Sequence, residues 1–234
     1  HANHAFPAKF PPQIPRVFIE NLTNPGEIVL DPMMGSGTTL LEANLLKRKT
    51  VGFDIDPLAA LIVFSKLAIY DPAEIEWYGK QIVDTVNYKL AANNAREISE
   101  LLNQRFDPDS RKFVDYWFEP NTQLELIGLI TEIEKIDDQT IKSFLTVVFS
   151  AIIITKSGGV SLARDLAHTR PHKDLSKKPK SALTEFLKRL KTNLKPLYEK
   201  HYSENSLVGS GNAQQLPLQN ESVDLIVTSP PYAN

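Results

Sequence analysis

The chain has 234 residues, 42% hydrophobic and 23% charged, with a formal net charge of -2, which excludes disorder over most of its length. It contains no cysteine, so a disulfide scaffold, a thiolate zinc site and a cysteine nucleophile are ruled out. The longest uncharged apolar stretch, Ser143–Thr155, is too short to span a bilayer and no signal peptide is visible at the start; a cytoplasmic protein without a membrane partner is expected.

In chain order, residues 1–16 are rich in Pro and aromatics, and a short helix is predicted over Gln13–Leu22, stopped by the turn Asn24-Pro25-Gly26. Glu27–Asp31 reads as a short buried strand and Gly35-Ser36-Gly37 as a tight loop. Thr38–Arg48 reads as a helix whose last turn holds Lys47 and Arg48, where the dipole favours cations. Thr50–Asp54 is a second strand, and Pro57 opens a helix with the apolar run Leu58–Ile69. Strand, Gly loop, helix, strand and helix together make a parallel βαβ unit.

From Pro72 to about Tyr202 the signals are helical. Asp84–Phe106 is amphipathic, Thr122 with Glu125 forms a capping box before Leu124–Ile136, and Thr140–Lys156 is apolar almost all round. Ser157–Pro179 reads as an irregular loop, and Ser181–Tyr202 as a basic helix that Pro196 would kink or break. Strand signals return at Ser206–Val208 and Val223–Thr228. The pattern predicts an α/β fold of two parts: residues 1–70 with 206–234, and a mainly helical insertion at 71–205, long enough to carry a function of its own.

Charge is uneven. Between Lys156 and His201 there are 12 Lys and Arg against 4 acids, a net +8 that leaves -10 on the rest of the chain. Such a block is either a footprint for a polyanion or a solvated helix face. Within it, Arg164, His168, Arg170, His172 and Lys173 are candidates for clamping phosphates or reading guanine edges. No metal site is expected, because Arg170-Pro171 between His168 and His172 breaks the helical spacing a ligand pair would need.

Two segments carry chemistry. In Asp31-Pro32-Met33-Met34-Gly35-Ser36-Gly37-Thr38-Thr39, glycines between a strand and a helix let backbone approach a ligand, and free helix amides favour an anionic group. No Gly-Lys-Ser/Thr occurs, so this is not a Walker loop; Leu40 stands where a dinucleotide fingerprint has its third glycine. Asp54, ending the next strand, can accept hydrogen bonds from ribose hydroxyls. In Thr228-Ser229-Pro230-Pro231-Tyr232, two prolines hold the backbone extended with carbonyls outward, Ser229 is a short acceptor and Tyr232 a flat face. Taken singly, each segment is equally a plain turn.

Together, and in this order, these segments resemble the S-adenosylmethionine-dependent DNA amino-methyltransferases. Asp31-Pro32 through Thr39 looks like that family's first cofactor motif, Val51–Asp56 like its second, and Gly211–Pro217, with Asn212 where the family usually has Asp, like its third. Ser229-Pro230-Pro231-Tyr232 looks like its catalytic motif. His4–Pro12 resembles the segment covering the methionine end of the cofactor.

The resemblance implies a Rossmann-like class I methyltransferase sheet of about seven strands. Four are read here; the others are expected from a missing segment or another chain. It implies cofactor contacts at Phe6, Pro7, Ala8, Lys9, Phe10, Asp31, Pro32, Met33, Gly35, Ser36, Gly37, Thr38, Thr39, Asp54, Ile55, Asn212 and Ala213, and catalysis at Ser229, Pro230, Pro231 and Tyr232. The partner it implies is DNA, with a base flipped from the duplex. Ser before Pro-Pro-Tyr leans toward cytosine N4 over adenine N6, in a restriction-modification enzyme of prokaryotic type. Competing expectations are an RNA amino-methyltransferase, an inactive nucleic-acid-binding subunit, and a nicotinamide oxidoreductase, which Leu40 and the Pro-Pro-Tyr segment disfavour.

Overall fold

A computed structural model describes residues 4, 10–91, 95–153, 159–163, 173–174, 176–199 and 205–230. The chain divides into two compact units, residues 6–69 with 200–234 and residues 70–199; His4 groups with the second.

The first unit is an α/β sheet, as the βαβ pattern predicts. Its strands are β1 (Ile28–Asp31), β2 (Lys49–Asp54), β3 (Ser206–Ser210) and β4 (Leu225–Ile226), all parallel in the order β3-β2-β1-β4. Helices α1 (Gln13–Leu22), α2 (Thr38–Leu45) and α3 (Pro57–Leu67) complete it. Met34, Leu40, Leu41, Val63 and Leu67 form one apolar cluster, and Ile19, Val29, Ala43 and Val227 another. Fully burying each large side chain contributes about 1.5–3 kcal/mol. Although β4 is short, it is pinned reciprocally: the Asp224 amide donates to the Ile28 carbonyl (3.0 Å), and the Ile28 amide to the Asp224 carboxylate (2.7 Å).

Helix α2 stops at Leu45, before the two cations expected in its last turn. Lys47 takes a left-handed φ of 65°, and Arg48 turns inward, buried. The Arg48 guanidinium donates to the carbonyls of Leu46 (2.8 Å) and Thr23 (2.6 Å) and to the Thr23 hydroxyl (3.0 Å). It therefore satisfies backbone at the ends of both α1 and its own helix, whose C-cap is Leu46.

The second unit is helical: α4 (Pro72–Ala91), α5 (Ala95–Arg105), α6 (Pro108–Trp117), α7 (Pro120–Glu134), α8 (Gln139–Ile153) and α9 (Ala182–Glu199). The amphipathic stretch over Asp84–Phe106 is thus two helices, the first starting twelve residues earlier. Pro72, Pro108 and Pro120 each open a helix, where the missing amide costs nothing. The expected Thr122–Glu125 capping box does not form. Helix α7 begins at Pro120, Thr122 is buried within it, and the Glu125 carboxylate instead accepts the first amide of α9, that of Ala182. Pro196 does not break α9; it lies in the last turn, where one lost backbone bond is tolerated. No described helix is long and apolar enough to cross a membrane.

Candidate active site

Strand β1 has β2 on one side and β4 on the other, so its carboxyl end is a topological switch point. In open parallel sheets ligands bind in the crevice outside such ends. Two segments leave the strands there, the Gly-Ser-Gly loop after β1 and Thr228-Ser229-Pro230 after β4.

The first loop folds over the end of β2. The Met34 amide donates to the Phe53 carbonyl (3.0 Å), the Gly35 amide to the Asp54 carboxylate (2.8 Å), and the Gly37 amide to the Met34 carbonyl (2.7 Å). Gly37 has φ 76°, and a Cβ there would come within 2.5 Å of Val63 Cγ2, so backbone shape and packing both demand glycine. Beneath the loop, buried Lys66 donates from Nζ to the Ser36 carbonyl (2.5 Å). The sequence reading missed Lys66; a lone lysine inside the apolar run Leu58–Ile69 was the available signal.

Asp31 ends β1 almost wholly buried, and its carboxylate accepts a hydrogen bond from the Met33 amide at 3.2 Å. Burial raises its pKa above the usual carboxylate range and nearby Asp54 adds to the rise; the Thr228 hydroxyl, the Met33 amide and the Thr39 hydroxyl oppose it. Those two hydroxyls are buried close to Asp31, yet neither completes a hydrogen bond of ordinary geometry. Helix α2 starts beside them with Gly37 at its N-cap, which supplies no side-chain acceptor. The crevice thus combines a buried carboxylate, two hydroxyls without a well-formed hydrogen bond and helix amides with no side-chain cap. A ligand carrying an ammonium and a carboxylate, such as the amino-acid end of S-adenosylmethionine, complements that set.

Asp54 uses both carboxylate oxygens on backbone, Oδ2 toward Gly35 and Oδ1 toward the Asp56 amide (2.9 Å). Each keeps a second lone pair for an incoming hydroxyl. The next residue, Ile55, is 79% exposed, an apolar surface at the strand end. On the neighbouring strand the Gly211 amide donates to the Asp54 carbonyl (3.0 Å), which brings Asn212 and Ala213 to the same end of the sheet. Asn212 is exposed, and its side-chain oxygen accepts the Gln214 amide (3.0 Å).

Pro32, Met33, Thr38 and Thr39 follow or flank the loop as the sequence places them. Ser229 is half-buried and Pro230 exposed just past β4. Pro231 and Tyr232, and also Phe6, Pro7, Ala8 and Lys9, lie outside the described residues. Phe10 packs against the Ile19, Val29, Ala43 and Val227 cluster, a structural contact. In the helical unit, His4 Nε2 is 3.1 Å from Ser150 Oγ. Of the candidate nucleic-acid residues, Arg164, His168, Arg170 and His172 lie outside the described residues. Lys173 pairs with Ala163 in an antiparallel bridge and sets its ammonium 4.5 Å from the centre of the Tyr116 ring. Among the described residues, no three His, Asp or Glu gather as a metal site requires.

A family model described as DNA methylase, of the N6/N4 type, matches residues 1–65. Over its whole length the chain is 27% identical to the Type II methyltransferase M.MvaI of Kocuria varians, spanning 53% of that protein. Over 89% of its length it is 25% identical to the Type II methyltransferase M.BsoBI of Geobacillus stearothermophilus, spanning 44% of it. A shorter match, 37% identical over 87 residues, covers 37% of the chain and 16% of the Type II methyltransferase M.MjaII of Methanocaldococcus jannaschii. The chain spans about half or less of each of these relatives.

Proposed function

The chain belongs to the DNA amino-methyltransferase family, and from that premise we propose that the protein transfers a methyl group from S-adenosylmethionine to the exocyclic amine of a DNA base, cytosine N4. The observation that carries this reading is the switch-point crevice. Buried Asp31 with the Thr39 and Thr228 hydroxyls lies beside the first turn of α2, and Ser229-Pro230 follows Thr228 directly in the segment after β4.

When bound, S-adenosylmethionine supplies an electrophilic methyl on a sulfonium. Asp31 holds the ammonium of its amino-acid end, and the first amides of α2 take the carboxylate. Asp54 accepts the ribose hydroxyls, while Ile55 and Ala213 cover the adenine. A base amine is a poor nucleophile because its lone pair is delocalised into the ring. Ser229 Oγ and the Pro230 carbonyl accept its hydrogens, which localises the lone pair toward the methyl. Tyr232 stacks on the base, which is flipped from the duplex to reach the pocket. The remaining rate enhancement is positional, from holding nitrogen and methyl in line.

The test is to incubate the full-length protein with duplex DNA and methyl-labelled S-adenosylmethionine, digest the DNA, and identify the labelled nucleoside. N4-methylcytosine is the expected product. N6-methyladenine would overturn the choice of base and leave the reaction standing. Label confined to RNA, or to no nucleic acid, would overturn the reading.

A further inference from the structure

The +8 block supplies a second question, because several of its cations are already engaged. Lys173 faces the Tyr116 ring, and Lys177 donates to the carbonyls of Ser161 (2.5 Å) and Ala163 (2.9 Å). Helix α9 is different. Ala182, Leu183, Phe186, Leu190, Asn193 and Leu194 are buried on one side, with Phe186 fully enclosed. At about 100° per residue, Lys188, Lys191 and Lys195 fall within some 60° of one another on the opposite side, and all three are exposed.

Between Ala182 and Tyr198 the helix has one acid, Glu185, against Lys188, Arg189, Lys191 and Lys195. Glu185 lies 3.9 Å from Lys188 and 3.8 Å from Lys180, at the outer limit of an ion pair. Lys191 and Lys195 have no salt-bridge partner among the described residues. They line a groove of about 310 Å³ with Leu194, Glu76 and exposed Tyr198. Glu76 is itself neutralised by Lys80 at 2.7 Å.

We propose that the outward face of α9, carrying Lys188, Lys191 and Lys195, grips the phosphate backbone of duplex DNA. The inference rests on the DNA reading above. Spacing and charge favour it. With a rise of about 1.5 Å per residue the three lysines span roughly 10 Å of helix axis. One DNA strand presents a phosphate about every 3.4 Å of duplex axis, and three long, flexible lysine side chains can each reach one of them. Lysine is a flexible point charge, suited to non-specific backbone contact rather than to base reading. This face therefore supplies affinity and salt dependence and leaves sequence choice to other groups.

The test uses the full-length protein and a duplex of defined sequence. Lys188, Lys191 and Lys195 are changed together to Gln, and binding is measured across a salt series. The logarithmic salt slope falls by about 2 to 3, and affinity falls to a similar extent on cognate and unrelated duplexes. A control variant, Lys112→Gln with Lys135→Gln, removes two lysines of the same unit that are paired with Asp109 and Glu132, and keeps the slope. Circular dichroism and S-adenosylmethionine affinity stay at wild-type values in both. A triple variant that folds and retains the wild-type slope overturns the α9 footprint and leaves the DNA reading intact. A wild-type protein that binds no duplex overturns both.

Discussion

Both the sheet unit and the helical unit bury a hydroxyl without a partner among the described residues, but in the sheet unit two of them, on Thr39 and Thr228, adjoin the buried carboxylate of Asp31. In the helical unit Lys89 and Lys135 share Glu132, Arg105 forks onto Glu134, and Gln123 bridges Arg111, Asp115 and the Phe118 carbonyl, while the buried Ser161 hydroxyl is left without a partner among the described residues. In the sheet unit the crevice leaves Asp31 under-satisfied and two hydroxyls orphaned. Polar groups cost stability when buried unpaired. Where two such hydroxyls gather around one buried carboxylate, a ligand that completes the set is the economical explanation. The helical unit also presents three exposed lysines, Lys188, Lys191 and Lys195, on one face of α9.

The sharpest way to break this comparison is Asp31→Asn. The substitution keeps an acceptor for the Met33 amide and removes the charge. S-adenosylmethionine affinity falls tenfold or more, as expected for a charge-assisted bond of about 1.5–3 kcal/mol. Stability of the ligand-free protein moves the other way. Because the folded pKa of Asp31 is raised, the favourable contribution of its protonated form is present below about pH 3.8 and lost as pH rises through the folded value. At neutral pH the ionised group is a liability, so the variant melts higher there, and the gain shrinks toward acid. A lower melting temperature at pH 7 with unchanged cofactor affinity would make Asp31 a structural residue.

A smaller effect sharpens the other half. Glu125→Ala removes the carboxylate that caps α9 from a different helix. Chemical denaturation should show a loss of about 1 kcal/mol, with S-adenosylmethionine affinity unaltered. Loss of cofactor affinity in parallel would show that the two units do not divide their tasks as described.

How much of this was legible in the sequence follows from the range of the interactions. The loop at Asp31–Gly37 could be read because its constraints are local: a strand, two glycines forced by backbone shape, and a helix start. Asp54 could be read for the same reason, as the last residue of a strand. Arg48 and Glu125 could not. Each reaches an end of a helix contributed by a distant segment, Arg48 in addition to the Leu46 carbonyl of its own, a choice made by tertiary packing rather than by sequence neighbours. The helical unit's boundaries failed in the same way: Pro72, Pro108 and Pro120 announce helix starts, but the amphipathic pattern running through Asp84–Phe106 hid the break between α4 and α5. Lys66 was passed over because an apolar run invites averaging, when the exception in it is the informative residue.

The most direct measurement of the central claim is a calorimetric titration of S-adenosylmethionine into the full-length wild-type protein, Asp54→Ala and Ser229→Ala. The account predicts binding to the wild type, at least tenfold weaker binding to Asp54→Ala, and wild-type affinity in Ser229→Ala, whose side chain serves the base amine. Equal affinity in all three proteins, or no binding to the wild type, would contradict it.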